Sequence, residues 1–252
     1  MNSRSSSRTD QLVELIADAD SVVALTGAGI SVPSGIPDFR SPGTGLWEGI
    51  DPMEVAHIDV FHRDPQRFWH FYGERFATLD DKKPNAAHGA LVELEQRGIL
   101  SAVITQNVDC LHRKAGTRNL IEVHGSIAEA VCLGCGSEFD LSETTRRIAI
   151  SDDGVPLCDC AKPLKPGVVL FGEMLAPQPM LEASTLALGA GVLLCVGSSL
   201  EVYPVANLPA LTLGAGGKVA LVTKGQTPYD KDAAVKLDGD VVSELEALVA
   251  AL

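Results

Sequence analysis

Apolar positions along the chain fall into two alternating rhythms. Over residues 10–19 they recur at 12, 13, 15, 16 and 19, the spacing of one helix face, with Thr9 or Asp10 placed to cap the start. Residues 21–25 (SVVAL) form a continuous apolar run that stops at Thr26-Gly27, as expected of a strand buried on both faces of a parallel sheet. Residues 87–97 are amphipathic and end at Gly98, where a helix-terminating glycine belongs. The strand pattern returns at 99–105 (ILSAVIT), 192–196 (VLLCV) and 218–222 (KVALV), and 240–252 closes the chain as a helix. Strand alternating with helix predicts an α/β fold whose parallel sheet is covered by helices on both faces. Two stretches break the rhythm. Between 128 and 164 the periodicity fades and paired cysteines appear. Between 47 and 84 the aromatics Phe61, Phe68, Trp69, Phe71, Tyr72 and Phe76 stand at partly helical spacing, over a length too great for a simple crossover. Both read as insertions, the second made of helices. No internal repeat is found.

Composition narrows the function classes. The 252 residues are 46% hydrophobic and 21% charged, enough to bury a sizeable core. The formal net charge of -13 repels phosphate backbones, so a nucleic-acid partner is not expected and a basic peptide is the more natural one. The most apolar run, 186–196, is short and broken by glycines, so no membrane span is expected. The Ser- and Arg-rich start, 1–8, lacks the apolar stretch of a secretory signal and reads as a disordered tail. Four of the six cysteines stand as Cys132-x-x-Cys135 and Cys158-x-Cys160. Two close thiolate pairs are the pattern of a closed tetrahedral zinc site. All four positions are filled, so the metal is expected to be structural. Cys195 lies in an apolar strand and reads as a small buried hydrophobe; Cys110 is given no role. Reduced cysteines and the missing signal together point to the cytosol.

The first strand runs into Thr26-Gly27-Ala28-Gly29-Ile30-Ser31. A glycine turn between strand and helix lets backbone N–H groups reach a pyrophosphate. Val32 stands where a dinucleotide fingerprint has its third glycine, and no strand-end acid follows about twenty residues on. A dehydrogenase is therefore not indicated, and the loop alone leaves a purely structural turn open. Pro33 and Pro37 forbid a regular helix beyond it. The chain there carries Asp38, Phe39 and Arg40: an acid, an aromatic and a cation. Gln106, Asn107 and Asp109 follow another strand, where amides and a carboxylate can bind ribose hydroxyls or a carboxamide, or merely cap a loop. His124 follows a short apolar run and precedes Gly125-Ser126, at a strand end suited to proton transfer near neutral pH. Gly197-Ser198-Ser199 repeats the pattern.

GAGIS followed by GIPDFR resembles the sirtuins, NAD-dependent protein lysine deacylases. The resemblance continues through TQNVDCLH at 105–112, HGS at 124–126, the cysteine pairs, KPGVVLFGE at 165–173 and VGSSLEVYP at 196–204. It implies a Rossmann-like parallel sheet over 9–47, 85–127 and 165–252, a helical insertion over 48–84 and a small zinc-binding domain over 128–164. It implies NAD as a consumed co-substrate. The acyl-lysine oxygen displaces nicotinamide at the ribose, His124 helps deprotonate a ribose hydroxyl, and free lysine, nicotinamide and O-acyl-ADP-ribose result. Asn107 and Asp109 belong to the nicotinamide pocket and Gln106 to the ribose. Gly27, Ala28, Gly29, Ile36, Asp38, Phe39, Arg40, Gly197, Ser198, Ser199, Thr223 and Val241 complete the NAD set, with Thr223 where the family usually has asparagine. Val169, Phe171 and Gly172, facing Glu201 and Val202, resemble the strands that clamp the substrate backbone. Ala56, Tyr72 and Arg75 resemble the branch that removes succinyl and malonyl groups, where tyrosine and arginine hold the acyl carboxylate. A transferase or NAD hydrolase on the same scaffold, or a non-catalytic NAD sensor, are the competing readings; intact His124, Asn107 and Asp109 argue against the sensor. A monomer is expected.

Overall fold

The computed structural model describes residues 7–38 and 51–252, with backbone alone for Pro52, 74–78 and Asp80. The chain opens with α1 (Arg8–Ala17) and β1 (Val22–Thr26) and makes two single 3-10 turns, Ala28–Ile30 and Val32–Ser34. Short helices α2 (Pro52–Val55) and α3 (Ile58–Arg63) lead to the long α4 (Pro65–Asp80) and to α5 (Ala86–Gln96). Then come β2 (Leu100–Thr105), α6 (Leu111–Ala115), β3 (Leu120–Glu122), β4 (Gly125–Cys132), β5 (Glu138–Asp140), α7 (Leu141–Ile150) and β6 (Leu164–Val168). The chain finishes with α8 (Pro177–Gly189), β7 (Val192–Val196), α9 (Leu208–Gly214), β8 (Lys218–Val222), β9 (Val235–Leu237) and α10 (Val241–Ala251).

Ser7, not Thr9 or Asp10, caps α1. Its hydroxyl accepts from Asp10 N at 3.1 Å, and its own N–H donates to the Asp10 carboxylate at 2.9 Å. This reciprocal box places Asp10 at the third helical position, where an acid imitates a cap when only the apolar spacing is read. Ser7 and Arg8 thus belong to the helix end rather than to the tail; residues 1–6 of the expected tail lie outside the described residues.

Six parallel strands form one sheet in the order β3-β2-β1-β7-β8-β9. The period of two along each strand sorts its side chains onto two cores. Val22 and Ala24 of β1 pack with Leu12, Leu91, Leu94, Leu245 and Leu248 beneath α1, α5 and α10. Val23 and Leu25 pack with Ala183, Ala187 and Leu208 beneath α8 and α9. Both faces are therefore covered by helices, as the unbroken apolar strands require. The order reverses at β1, since β2 and β7 flank it, and this is the switch point at which ligands bind such sheets.

A second, antiparallel sheet runs β5-β4-β6. Against it pack Phe61, Phe68 and Trp69 of α3 and α4, together with Ile127, Val155, Val168 and Leu170. Trp69 is almost fully buried, and its indole N–H donates to Leu164 O at 3.0 Å. Each such aromatic buries enough surface to contribute about 2–3 kcal/mol. Among the described residues no helix is long and apolar enough to cross a membrane.

Candidate active site and metal centre

Strand register places the sequence motifs side by side. Thr26 of β1 aligns with Thr105 of β2 and with Val196 of β7. Thr105 aligns with Glu122 of β3, Val196 with Val222 of β8, and Val222 with Leu237 of β9. The glycine loop, Gln106–Asp109, His124, Gly197–Ser199, Thr223 and Val241 thus all leave the same edge of the sheet. They surround a cavity of about 1690 Å³, beyond the roughly 300–1,000 Å³ of a single-ligand pocket and roomy enough for two reactants.

The glycines are demanded by packing. A Cβ on Gly29 would lie 2.8 Å from Gly197 Cα, and one on Gly197 (φ 59°) would lie 2.3 Å from Ile30 N. Gly29 N donates to Gly197 O at 2.8 Å and Gly27 N to Val196 O at 3.0 Å. The loops after β1 and β7 therefore meet backbone to backbone. These glycines build the contact between the two loops whatever the loop binds, so the structural role that the sequence left open is also theirs. Asn85, at the cap of α5, holds the next turn, donating to Ile30 O at 2.8 Å and to Ser34 Oγ at 3.0 Å.

A buried polar cluster lines the cavity. Asn107 Nδ2 donates to Gly27 O and to Ser31 Oγ, each at 3.1 Å. Ser31 Oγ donates in turn to Asp109 Oδ2 at 2.6 Å, and Leu111 N donates to Asp109 Oδ1 at 2.9 Å. Burial raises the Asp109 carboxyl above its usual range, against the opposing pull of these two donors and of the Lys114 charge. Ser31 is the member that sequence reasoning missed; its position inside GAGIS was the available signal. Beneath the cluster, Thr26 Oγ1 donates to Thr105 Oγ1 at 2.8 Å and accepts from His112 Nε2 at 2.9 Å. Thr105 Oγ1 also accepts from Asn107 N at 3.1 Å. Gln106 Nε2 donates to Ser198 Oγ at 2.9 Å.

His124 is half-buried and lines the cavity. Its Nδ1 lies 2.9 Å from Gln106 O. A carbonyl can only accept, so Nδ1 carries the proton and Nε2 presents a lone pair. Burial lowers the ring's pKa, with the Gln106 bond opposing, so the neutral base is the resting form at pH 7.

Of the other predicted residues, Ile36, Asp38, Ala56, Tyr72, Val169, Phe171, Gly172 and Val202 line the same cavity. Glu201 is exposed and stands outside the lining; Tyr203 and Pro204 line the wall there instead. Phe39 and Arg40 lie outside the described residues, as does the side chain of Arg75 in α4.

The metal prediction is met by geometry. The sulfurs of Cys132, Cys135, Cys158 and Cys160 all lie within 4.8 Å of one another. Cys132 and Cys160 are 3.4 Å apart and Cys135 and Cys158 3.5 Å, far beyond a disulfide bond. Four thiolates at 2.3 Å from a zinc ion stand about 3.8 Å apart, so the set fits a structural zinc. The short Cys158-x-Cys160 pair is accommodated without opening the cluster. Arg147 of α7 braces this knuckle, donating to Leu157 O at 2.6 Å and pairing with Asp159 at 2.8 Å.

Known proteins agree with this geometry. Residues 27–204 match the model of the Sir2 family. An NAD-dependent protein deacetylase of Thermotoga maritima is 41% identical over 92% of this chain and 93% of its own. An NAD-dependent protein deacylase of Archaeoglobus fulgidus is 39% identical over 95% and 96% respectively. A Sir2 structure holding a deacetylated p53 peptide and 3′-O-acetyl ADP-ribose superposes with a TM-score of 0.91 at 39% identity, covering 96% of this chain and 97% of that one. One bound to a propionylated peptide gives 0.88 at 38% identity, covering 97% and 98%. With the family model matched over residues 27–204 and both relatives and structures similar over nearly the whole chain, the protein belongs to the Sir2 family and is an NAD-dependent protein deacylase.

Proposed function

We propose that the enzyme removes succinyl and malonyl groups from lysine side chains in preference to acetyl, while retaining some deacetylation. One observation carries this reading: Ala56 and Tyr72 line the cavity that holds His124 and Asp109, and Arg75 stands three residues beyond Tyr72 in α4. Ala56 is 1% exposed and adds no bulk beyond a methyl group. Tyr72 stacks on Phe68 with ring centroids 4.7 Å apart, so its ring is held in a fixed plane. An acyl carboxylate there takes charge-assisted hydrogen bonds from the guanidinium and the phenol, whereas an acetyl group leaves the guanidinium without its partner.

NAD supplies the electrophilic ribose carbon and nicotinamide as leaving group. The residues divide the remaining work. Asn107 has both side-chain hydrogens engaged by Gly27 and Ser31, which leaves its carbonyl to accept from the carboxamide N–H, with Asp109 beside it. Gln106 and Ser198 hold ribose hydroxyls, the Gly27–Gly29 turn and Ser199 the phosphates, and Thr223 and Val241 the adenosine end. His124 Nε2 takes the proton of the ribose hydroxyl that attacks the acyl carbon. Val169, Phe171 and Gly172 receive the peptide backbone, whose partner is an acylated, preferentially basic segment.

The test is a pair of matched peptides, acetyl-lysine and succinyl-lysine, incubated with NAD and followed by mass spectrometry, with His124→Ala as control. O-acyl-ADP-ribose should appear only with active enzyme and faster from the succinyl peptide. Arg75→Met should lower desuccinylation by about 10–100-fold, the value of a charge-assisted bond, and leave deacetylation within a few-fold. Equal losses on both peptides would defeat the carboxylate pocket. Nicotinamide release that ignores the peptide would favour a hydrolase.

A further inference from the structure

β4 and β6 pair at Gly125 with Val168 and again at Ala130 with Pro166, so residues 126–129 bulge opposite the single residue Gly167. The strands touch at Gly125 (φ 71°), where a Cβ would lie 2.1 Å from Gly167 O. A bulge this wide removes ladder donors from β6. The side chain of Lys165 stands in for them. It is only 7% exposed, and its ammonium donates to Val168 O at 2.7 Å, to Pro166 O at 3.2 Å and to Glu173 Oε2 at 2.9 Å. An ammonium has three hydrogens, and these contacts use all three. The same Glu173 oxygen accepts from Leu170 N at 2.8 Å. One buried cation therefore closes residues 166–173 upon themselves.

The segment so closed is the wall between histidine and acyl pocket. Val169 N donates to His124 O at 2.8 Å. Phe171 N donates to Ala56 O at 3.1 Å, and Ile58 N to Phe171 O at 2.9 Å. Val168 through Glu173 line the cavity, whereas Lys165 does not.

We propose that Lys165 is a positioning residue for the acyl-lysine substrate: it fixes the backbone of residues 168–172 in the shape that receives the peptide, without touching peptide or NAD. This rests on the assignment of Val169, Phe171 and Gly172 to the peptide. It is independent of which acyl group is preferred. Loss of the ammonium takes its hydrogen bonds from the Val168 and Pro166 carbonyls and leaves the Glu173 carboxylate with the Leu170 N–H but no counter-charge. The segment then relaxes, while the glycine loop and the Asn107–Ser31–Asp109 cluster, held by other bonds, keep their place.

The experiment compares wild type, Lys165→Met and Lys165→Arg well below their melting temperatures. KM is measured separately for acetyl peptide, succinyl peptide and NAD, and ADP-ribose binding by calorimetry. Lys165→Met should raise the KM of both peptides by about tenfold or more, the loss expected when a positioned backbone is released. KM for NAD and the Kd of ADP-ribose should stay within about twofold. Lys165→Arg, which keeps charge and donors, should fall between. A parallel rise for NAD and peptide would make Lys165 a purely structural residue and overturn the proposal, as would an unchanged peptide KM. If Lys165→Met does not fold, Glu173→Gln weakens the ion pair at constant shape and should raise peptide KM several-fold; no change there overturns the proposal equally. A wild-type enzyme that prefers acetyl peptide defeats the carboxylate pocket but leaves the Lys165 test standing.

Discussion

At the scale of one residue, the proposed mechanism turns on the protonation state of His124. Gln106 O holds the Nδ1 proton, and burial presses the ring toward its neutral form. Activity that needs a neutral base grows as pH rises through the folded pKa. That pKa lies below 6.5, so the acid limb of kcat/KM should be centred below the usual imidazole range. A limb centred at or above pH 7 would show that another group controls it. His124→Ala should lower kcat by about 10²–10⁴-fold, the range for a lost general base, and remove the limb. Asp109 moves the other way, its carboxyl raised by burial, yet the Ser31 and Leu111 donors both favour the ionised form. The hydrogen-bonded serine could not be read from spacing, because its two partners are 76 and 78 residues away in the chain.

Elements carried the legible information unevenly. The core strands β1 and β7 are buried through their length and β2 and β8 at all but one position each, so apolar runs located them within a residue or so. β9 has three residues and too little pattern to be found that way. The cysteine pairs located the metal centre, but nothing in the sequence indicated the bulge in β4 or the buried Lys165, because both arise from pairing between strands. Glu201 is exposed and stands outside the cavity lining, a placement strand-like spacing could not specify because it does not say which side chains turn inward. The antiparallel sheet has its own testable dependence on metal. At its cysteine end, away from the aromatic cluster of α3 and α4, the sheet buries only Ala130, Cys132, Cys158 and Leu164, too little apolar surface to hold the two cysteine knuckles without the ion. Zinc should therefore be found near one equivalent per chain. Chelation should abolish activity and shift tryptophan fluorescence together, since Trp69 is tied to Leu164 O at the start of β6. Activity lost without a spectral change would mean the ion acts elsewhere than in folding.

For the whole molecule, the most telling load is a pair of histidines far inside it. His88 is fully buried and His112 is 2% exposed, and their rings meet edge-on with centroids 4.9 Å apart. Asn85 N donates to His88 Nδ1, which puts the His88 proton on Nε2; His112 Nε2–H donates to Thr26, which leaves its Nδ1 bare. Neither His88 Nε2 nor His112 Nδ1 has a partner; a second proton on His112 would sit on its bare Nδ1 with no acceptor, and one on His88 Nδ1 would face the Asn85 N–H it now accepts from, so neither is compensated. Burial accordingly lowers His88 to about 4 and His112 to about 3. Between those values and about 6.5 the unfolded chain binds protons that the folded chain refuses. Stability from this source is complete above pH 6.5 and is lost as pH falls toward 4, by roughly 1.4 kcal/mol per pH unit for each ring. Over two units that rivals the 5–15 kcal/mol that holds an ordinary domain together. The net charge of -13 acts in the opposite direction, because acid relieves self-repulsion. Urea unfolding followed from pH 7 to 5 should therefore show a steep fall in stability. His112→Gln keeps an N–H to offer Thr26 but cannot titrate. It should start less stable at pH 7 and lose stability more gently, the slope falling by about one ring's share. An unchanged slope would place the acid sensitivity outside this pair.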